Sequence, residues 1–259
     1  MKPPFFSIIT CTRNSEKYLA ECIKSVKTQT FKDYEHVFID AFSKDKTISI
    51  IEKYRKKHPK KVKLLQSKPK GIANAMNKGI RTSRGVFLCH LHSDDYFYSA
   101  KTLKIVHDIY KKTKSPWIVG ASAKKYEKQN KLIISPKISR LKQKMLFAED
   151  YISHQNAFVK KDLFKKYGLF DETFRICMDY EFWMRLLKNN EKPLFIDENL
   201  SVFRIHRDSL SASRKHMAEI LKEDFYARKK NTPYYIIYEL LSLSNKASRT
   251  ICRKLTNNY

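Results

Sequence analysis

Phe5 to Thr10 is a near-continuous apolar run, the pattern of a strand buried on both faces. Ser15 to Thr28 follows with Leu19, Cys22, Ile23 and Val26 at helical spacing. The pairing recurs. Tyr34 to Asp40 predicts a second strand, Ser43 to Thr47 a polar turn, and Ile48, Ile51 and Tyr54 one face of a helix. Val62 to Leu65 predicts a third strand, and Pro69 and Gly71 lead into a helix over Ile72 to Thr82. Val86 to Leu91 is a fourth strand that ends in His92-Ser93-Asp94-Asp95. Strands alternating with helices predict an α/β chain with a mainly parallel, Rossmann-like sheet, whose ligands bind at the carboxyl ends of the strands. Asp40 and Asp94 both fall at such ends.

Beyond Thr102 the pattern gives a helix to about Lys112, a strand over Trp117 to Ala121 and a mixed, Lys-rich stretch from Lys124 to Glu149. A strand over Ser153 to Val159 comes next, then a helix over Asp162 to Tyr167 closed by Gly168, and another over Asp179 to Lys188. From Lys215 two helices separated at Pro233 are expected. The second, Tyr234 to Leu255, carries Tyr235, Ile236, Leu240, Leu243 and Ile251 as an apolar side, with Lys246, Arg249, Arg253 and Lys254 gathered toward its end. We expect one main domain over residues 1–214, divided near residue 100 into two halves, and a basic helical extension over 215–259.

Composition narrows the classes. The 259 residues carry a net charge of +27, but 42% are hydrophobic, which is too apolar for a disordered polycation. The charge leaves nucleic acid, an anionic membrane surface or a phosphorylated substrate as partners. Five cysteines stand far apart with no C-x-x-C pair, which argues for reduced thiols and against a zinc finger. The apolar run at Phe5 is too short for a secretory signal, and no stretch of eighteen apolar residues exists to span a bilayer.

Asp94-Asp95 is the strongest chemical signal. Adjacent carboxylates repel unless a cation offsets them, and at a strand end the pair suits Mg²⁺ or Mn²⁺ holding a phosphate. A helix cap is the plainer alternative. A second alternative groups His90, His92 and Asp94 in a metal box like that of a hydrolase, although Asp95 stands where such a box needs its last His. Asp40 is free for a ligand if Ser43, Asp45 and Thr47 cap the next helix. Asp179 opens an amphipathic helix, where it either caps or acts as a base.

These blocks together resemble the family 2 glycosyltransferases of the GT-A fold. Phe6-Ser7-Ile8-Ile9-Thr10-Cys11-Thr12-Arg13-Asn14 is similar to the family's opening strand, and Ser25-Val26-Lys27-Thr28-Gln29-Thr30 to its first helix end. Ile39-Asp40 with Ser43, Asp45 and Thr47 resembles "D-D-G-S-x-D-x-T", and Gly71 to Ile80 resembles "G-x-x-x-A-x-N-x-G". His92 to Asp95 stands where "D-x-D-D" falls, Gly168 to Glu172 matches "G-x-F-D-E", and Asp179 to Arg185 matches "E-D-x-x-x-W-x-R". Phe203-Arg204-Ile205-His206, with Ser209 and Ser211, resembles the closing "y-R-x-H-x-x-S-x-S".

The resemblance implies an inverting transfer of a hexose from a UDP-sugar to a saccharide acceptor carried on a lipid (undecaprenyl) diphosphate, in cell-surface polysaccharide or O-antigen synthesis. It implies Asp179 as the base; Thr12, Asp40, Asn77 and Asp94 on the donor; and Asp94, Asp95 and His206 around Mn²⁺ or Mg²⁺. His154, Trp183 and Arg185 are expected on the acceptor side. The enzyme is expected in the cytoplasm, peripheral on the inner membrane, where its basic C-terminal helix suits an anionic leaflet. No nucleic acid is expected as a partner, since no nucleic-acid motif accompanies the charge. The departures are Ala41 and Phe42 for the second Asp and the Gly of "D-D-G-S", His92 for the first Asp of "D-x-D", and Met178 for the Glu before the base.

Overall fold

The computed structural model describes residues 2–134, 147, 152–207, 209–210 and 216–244. β1 (Phe6–Thr12) and β2 (Tyr34–Asp40) are buried along their whole lengths. Alternation explains why both faces must be covered. Ile9 and Cys11 pack with Ala73, Met76 and Ile80 of α3 (Ile72–Thr82), whereas Phe6 and Ile8 pack with Cys22 and Val26 of α1 (Glu16–Lys27) and Leu103 and Val106 of α4 (Thr102–Thr113). α2 (Thr47–Lys57) closes a third cluster through Ile51 and Tyr54.

β3 (Val62–Gln66), β2, β1 and β4 (Phe87–His90) are parallel neighbours, so the strand order reverses between β1 and β4. A sheet of this kind opens a crevice at the carboxyl ends flanking that reversal. Among the described residues the sheet has nine strands and continues through β8 (Ala157–Lys160), β6 (Trp117–Tyr126), β9 (Leu194–Ile205) and β5 (Tyr96–Phe97), with β7 (Lys131–Ile134) added to β6. β8 runs antiparallel to both β4 and β6, which makes the sheet mixed. α5 (Lys161–Tyr167) and α6 (Met178–Lys188) pack on the α3 face. α7 (Met217–Asn231) and a further helical stretch over 235–244 follow.

Polar residues on β1 and β2 make buried hydrogen bonds, although His36 Nδ1 has no partner among the described residues. Ser7 Oγ donates to Glu35 Oε1 at 2.7 Å and accepts from Gly85 N at 2.8 Å. Burial alone would raise the Glu35 carboxyl, but the Arg84 backbone N–H, the Ser7 hydroxyl and the Lys63 ammonium hold it below its ordinary value. A Cβ at Gly85 would lie 2.5 Å from the Ser7 backbone nitrogen, so a side chain there would push β1 away. Thr10 Oγ1 donates to Leu91 O at 2.7 Å, and His36 Nε2, 2.9 Å away, must then donate to Thr10.

Several sequence expectations are corrected. The strand expected from Ser153 starts at Ala157, because His154–Asn156 form a 3-10 turn closed by Asn156 N donating to Ser153 O at 3.0 Å. β5, β7 and the twelve-residue β9 were not foreseen; Asp197, Glu198 and Asn199 break the apolar pattern of β9. The strand at Trp117 runs on to Tyr126. Of the stretch to Glu149, residues 135–146 and 148–149 lie outside the described residues, as does the part of the helix expected over Tyr234 to Leu255 that follows residue 244.

Two core histidines set an acid limit on this fold. Burial pushes the His36 imidazole from 6.5 down to about 3, and burial, with His154 and His92 nearby, holds His90 well below its ordinary range. Both stay neutral when folded and gain a proton on unfolding in acid. Stability is therefore intact above the unfolded value near 6.5 and falls as pH drops toward 3, by up to about 1.4 kcal/mol per pH unit for each ring. Urea melts should show the midpoint falling steadily between about pH 6.5 and about pH 4.5; a midpoint that stays put would contradict this account.

Candidate active site

The site begins at the carboxyl ends of β1 and β2. Thr12 Oγ1 donates to Asp40 Oδ2 at 2.8 Å, while Ser43 donates to Asp40 through its backbone N at 2.9 Å and its hydroxyl at 2.6 Å. The Asp40 carboxylate is thus buried and oriented, with lone pairs left over. Asp45 takes the capping task, accepting from Thr47 N and Glu16 N at 3.0 Å each. The intervening turn puts Phe42 at φ +53° with half its surface exposed, a backbone setting that favours the glycine it replaces.

The end of β4 is held against the end of β9. Asp94 Oδ2 lies 2.9 Å from His206 Nε2. Arg204 donates from Nε to Asp94 O at 2.9 Å, and its backbone N donates to Asp95 Oδ1 at 2.9 Å. Its guanidinium also pairs with Glu21 and lies over the rings of Tyr18 and Tyr96, 4.6 and 5.4 Å from their centroids. Burial opposes charge on Asp94, yet the His206 hydrogen bond holds its carboxyl below the ordinary value. Asp95 is pushed well above it by burial and by Asp94. The two neighbours are therefore unequal: Asp94 meets His206, and Asp95 faces the β9 backbone.

Asp179 sits in the first turn of α6. Glu223 of α7 accepts from the backbone N–H groups of Arg175, Ile176 and Cys177 at 2.7, 2.9 and 2.8 Å, satisfying the donors that lead into that helix. Asp179 Oδ1 accepts from Tyr180 N at 3.0 Å, and Oδ2 lies 3.1 Å from His154 Nδ1. The His154 ring is 4.3 Å from that of His92. Burial, then His154, pushes the His92 imidazole down to about 3, so the residue standing at the first position of "D-x-D" adds no charge at neutral pH. Contacts therefore run from Asp179 through His154 to His92, two residues before Asp94.

Other expected residues lie elsewhere. Asn77 donates to Phe170 O and Glu172 Oε1 at 2.9 Å each and accepts from Phe170 N at 3.0 Å, so it locks α3 to the loop after Gly168. Trp183 is buried, stacks on Trp117 with centroids 5.1 Å apart and donates Nε1 to Ile152 O. Arg185 clamps Tyr167 O and Leu169 O at 2.7 and 2.9 Å and pairs with Glu181 one turn back. His90 packs edge-on against Phe170 and Phe164. Among the described residues no group of three His, Cys, Asp or Glu is arranged to hold a metal: the His90, His92 and Asp94 box does not assemble, and Asp95, engaged by Arg204 N, does not join Asp94 and His206 in a three-residue set. Arg204 and Glu223 went unassigned in the sequence: the first stands inside the R-x-H block, and the second carries no local signal.

Comparison with known proteins places this geometry. The model of glycosyl transferase family 2 matches residues 7–168. The chain is 26% identical over 239 residues to the uncharacterized glycosyltransferase EpsJ of Bacillus subtilis (strain 168), covering 87% of this chain and 69% of EpsJ. It is 28% identical over 189 residues to a PGL/p-HBAD biosynthesis glycosyltransferase of Mycobacterium tuberculosis (strain ATCC 25618 / H37Rv), covering 73% and 72%. Among solved structures, the S. aureus TarS 1-349 complex with UDP-GlcNAc aligns with a TM-score of 0.69 at 22% identity, over 86% of this chain and 66% of that one. The Pyrobaculum calidifontis mannosyltransferase PcManGT, in complex with GDP-Man and Mn²⁺, aligns at 0.71 and 16%, over 93% and 70%. The chain spans slightly less than two thirds of the TarS 1-349 chain.

Proposed function

The chain belongs to the family 2 glycosyltransferases, and from that premise we propose that it moves a hexose from a UDP-sugar onto a lipid diphosphate-linked saccharide with inversion at the anomeric carbon. The observation that carries this reading is the run of contacts that joins Asp179 through His154 to His92, two residues before the Asp94–His206 pair. Asp94 and His206 would hold the cation, and a carboxylate with an imidazole suits Mn²⁺ better than Mg²⁺. A divalent ion held there offsets the charge that grows on the leaving diphosphate.

The chain's own residues supply the rest. Thr12 and the oriented Asp40 form the floor of the uracil pocket, and Asp94 and His206 stand at the diphosphate. The acceptor oxygen attacks the anomeric carbon as the bond from that carbon to the UDP oxygen breaks. Asp179 takes the hydroxyl proton, and UDP leaves as the diphosphate anion. A single in-line displacement of this kind inverts the configuration. Asp95 acts from behind, tying the β4 end to β9. The UDP-GlcNAc complex of TarS and the Mn²⁺ complex of PcManGT support the donor class and the cation for this reading.

A membrane-bound acceptor also fits the C-terminal part. Ile236, Ile237, Leu240 and Leu241 recur one helical turn apart and are exposed, whereas Tyr238 stacks on Phe147, Glu239 pairs with Arg228, and Ser242 is buried. An exposed apolar stripe, followed in the sequence by the basic Lys246, Arg249, Arg253 and Lys254, suits docking on an anionic inner leaflet. No helix among the described residues is long and apolar enough to cross a membrane.

Two outcomes are expected. Supplied with UDP-glucose, UDP-galactose or UDP-GlcNAc, Mn²⁺ and a lipid diphosphate-linked GlcNAc, the protein should release UDP, and Asp179→Asn should lower kcat about 10²- to 10⁴-fold; full turnover by that variant would refute the assignment of the base. In flotation with vesicles containing anionic lipid, the protein should rise with the vesicles. The Ile236→Asp, Ile237→Asp, Leu240→Asp triple variant should remain at the bottom, and its co-flotation would sink the docking model.

A further inference from the structure

Asp179 is nearly buried, with 11% of its side chain exposed. A base in that setting has to be aimed, since rotation of the carboxylate by a fraction of an ångström turns its free lone pair away from the acceptor. Tyr180 N–H, on the same helix, holds only Oδ1. Among the described residues, His154 is the one side chain that hydrogen-bonds Asp179, with Nδ1 3.1 Å from Oδ2. An ionised carboxylate can only accept, so Nδ1 carries the proton.

The surroundings of His154 favour that orientation. Its Nε2 is shut off from solvent and has no partner among the described residues, so the acceptor hydroxyl does not reach the ring from that side. The ring is wedged against His92, 4.3 Å away between centroids, and the backbone carrying it is the 3-10 turn His154–Asn156. That turn is itself pinned, since Asn156 Oδ1 accepts from Ser201 Oγ of β9 at 2.6 Å. The same turn breaks the strand that the apolar pattern predicts. If Ser153–Asn156 continued β8 in extended form, alternation would carry His154 with the other residues of one strand face; the turn sets its imidazole on Asp179.

We propose that His154 is a positioning residue: its Nδ1–H fixes Asp179 Oδ2, leaving the remaining lone pair aimed at the acceptor hydroxyl, with His92 packed behind the imidazole to hold it there. His154 takes no proton from the acceptor and touches no reacting atom. The inference rests on the reading of Asp179 as the base and adds the group that aims it. Misplacement of a catalytic group by about 1 Å costs on the order of 10²-fold, which sets the scale of the effect.

The test compares His154→Ala, His154→Asn and Asp179→Asn in the full chain, with UDP release from the same UDP-sugars to lipid diphosphate-linked GlcNAc. His154→Ala should lower kcat about 10- to 100-fold with the donor KM within about 2-fold of wild type, and His154→Asn, whose amide N–H can stand in for Nδ1–H, should recover most of that loss. Wild-type kcat in His154→Ala, or His154→Asn as impaired as His154→Ala, would overturn the proposal. Persistent activity in Asp179→Asn would instead overturn the reading of the base. A readout independent of the sugar is the nitrogen NMR spectrum of histidine-labelled protein: His154 should show the Nδ1–H tautomer and lose it in Asp179→Ala. A His154 found as the Nε2–H tautomer in the wild type would also overturn the proposal.

Discussion

The site depends on how the carboxyl end of β4 is held against the end of β9. Asp94 and Asp95 follow a short buried strand, and two adjacent carboxylates there are tolerable only if each has its own partner. β9 supplies both: His206 for Asp94, and the Arg204 backbone for Asp95, with the Arg204 side chain closing on Asp94 O. The two ends lie 112 residues apart in sequence, so the contact is a product of the whole sheet. The Asp94–His206 contact therefore needs β9 paired with both β6 and β5.

The helix that carries Asp179 is fixed by a different logic. Its core side is apolar, with Phe182 stacked on Phe164 and Trp183 on Trp117. Its polar ties fall at its start and along its flank: Glu223 gathers the N–H groups leading into it, and Arg185 clamps the carbonyls of Tyr167 and Leu169. Arg228, buried, joins this helix to the C-terminal pair through the Tyr180 hydroxyl and Glu239. A stripe with affinity for a membrane would thereby stand two hydrogen bonds from the residue next to Asp179.

What could be read in advance follows from the range of the interactions involved. The first four strands and three helices were legible because burial on both faces and helical periodicity are local patterns. Asp40 and Asp94 were legible as strand-end carboxylates. β9 was not, since Asp197, Glu198 and Asn199 interrupt its alternation and its strandedness comes from pairing with β6. Motif resemblance grouped Asn77, Trp183 and Arg185 with ligand-facing residues, although their hydrogen bonds go to the loop after Gly168 and to Ile152. Short motifs mark the residues a fold depends on without separating those that touch a ligand from those that hold the ones that do. Glu223 acts through three backbone N–H groups more than forty residues away, which no local pattern announces.

The central claim is that Asp94 and His206 form a cation site that serves a nucleoside diphosphate. Calorimetric titration of the protein with UDP, with Mn²⁺ and then with the cation chelated, tests it most directly. The account predicts binding that weakens at least about 10-fold without the cation, about 1.4 kcal/mol, with that dependence lost in Asp94→Ala. UDP binding of equal strength with and without Mn²⁺, or a cation dependence unchanged in Asp94→Ala, would contradict it.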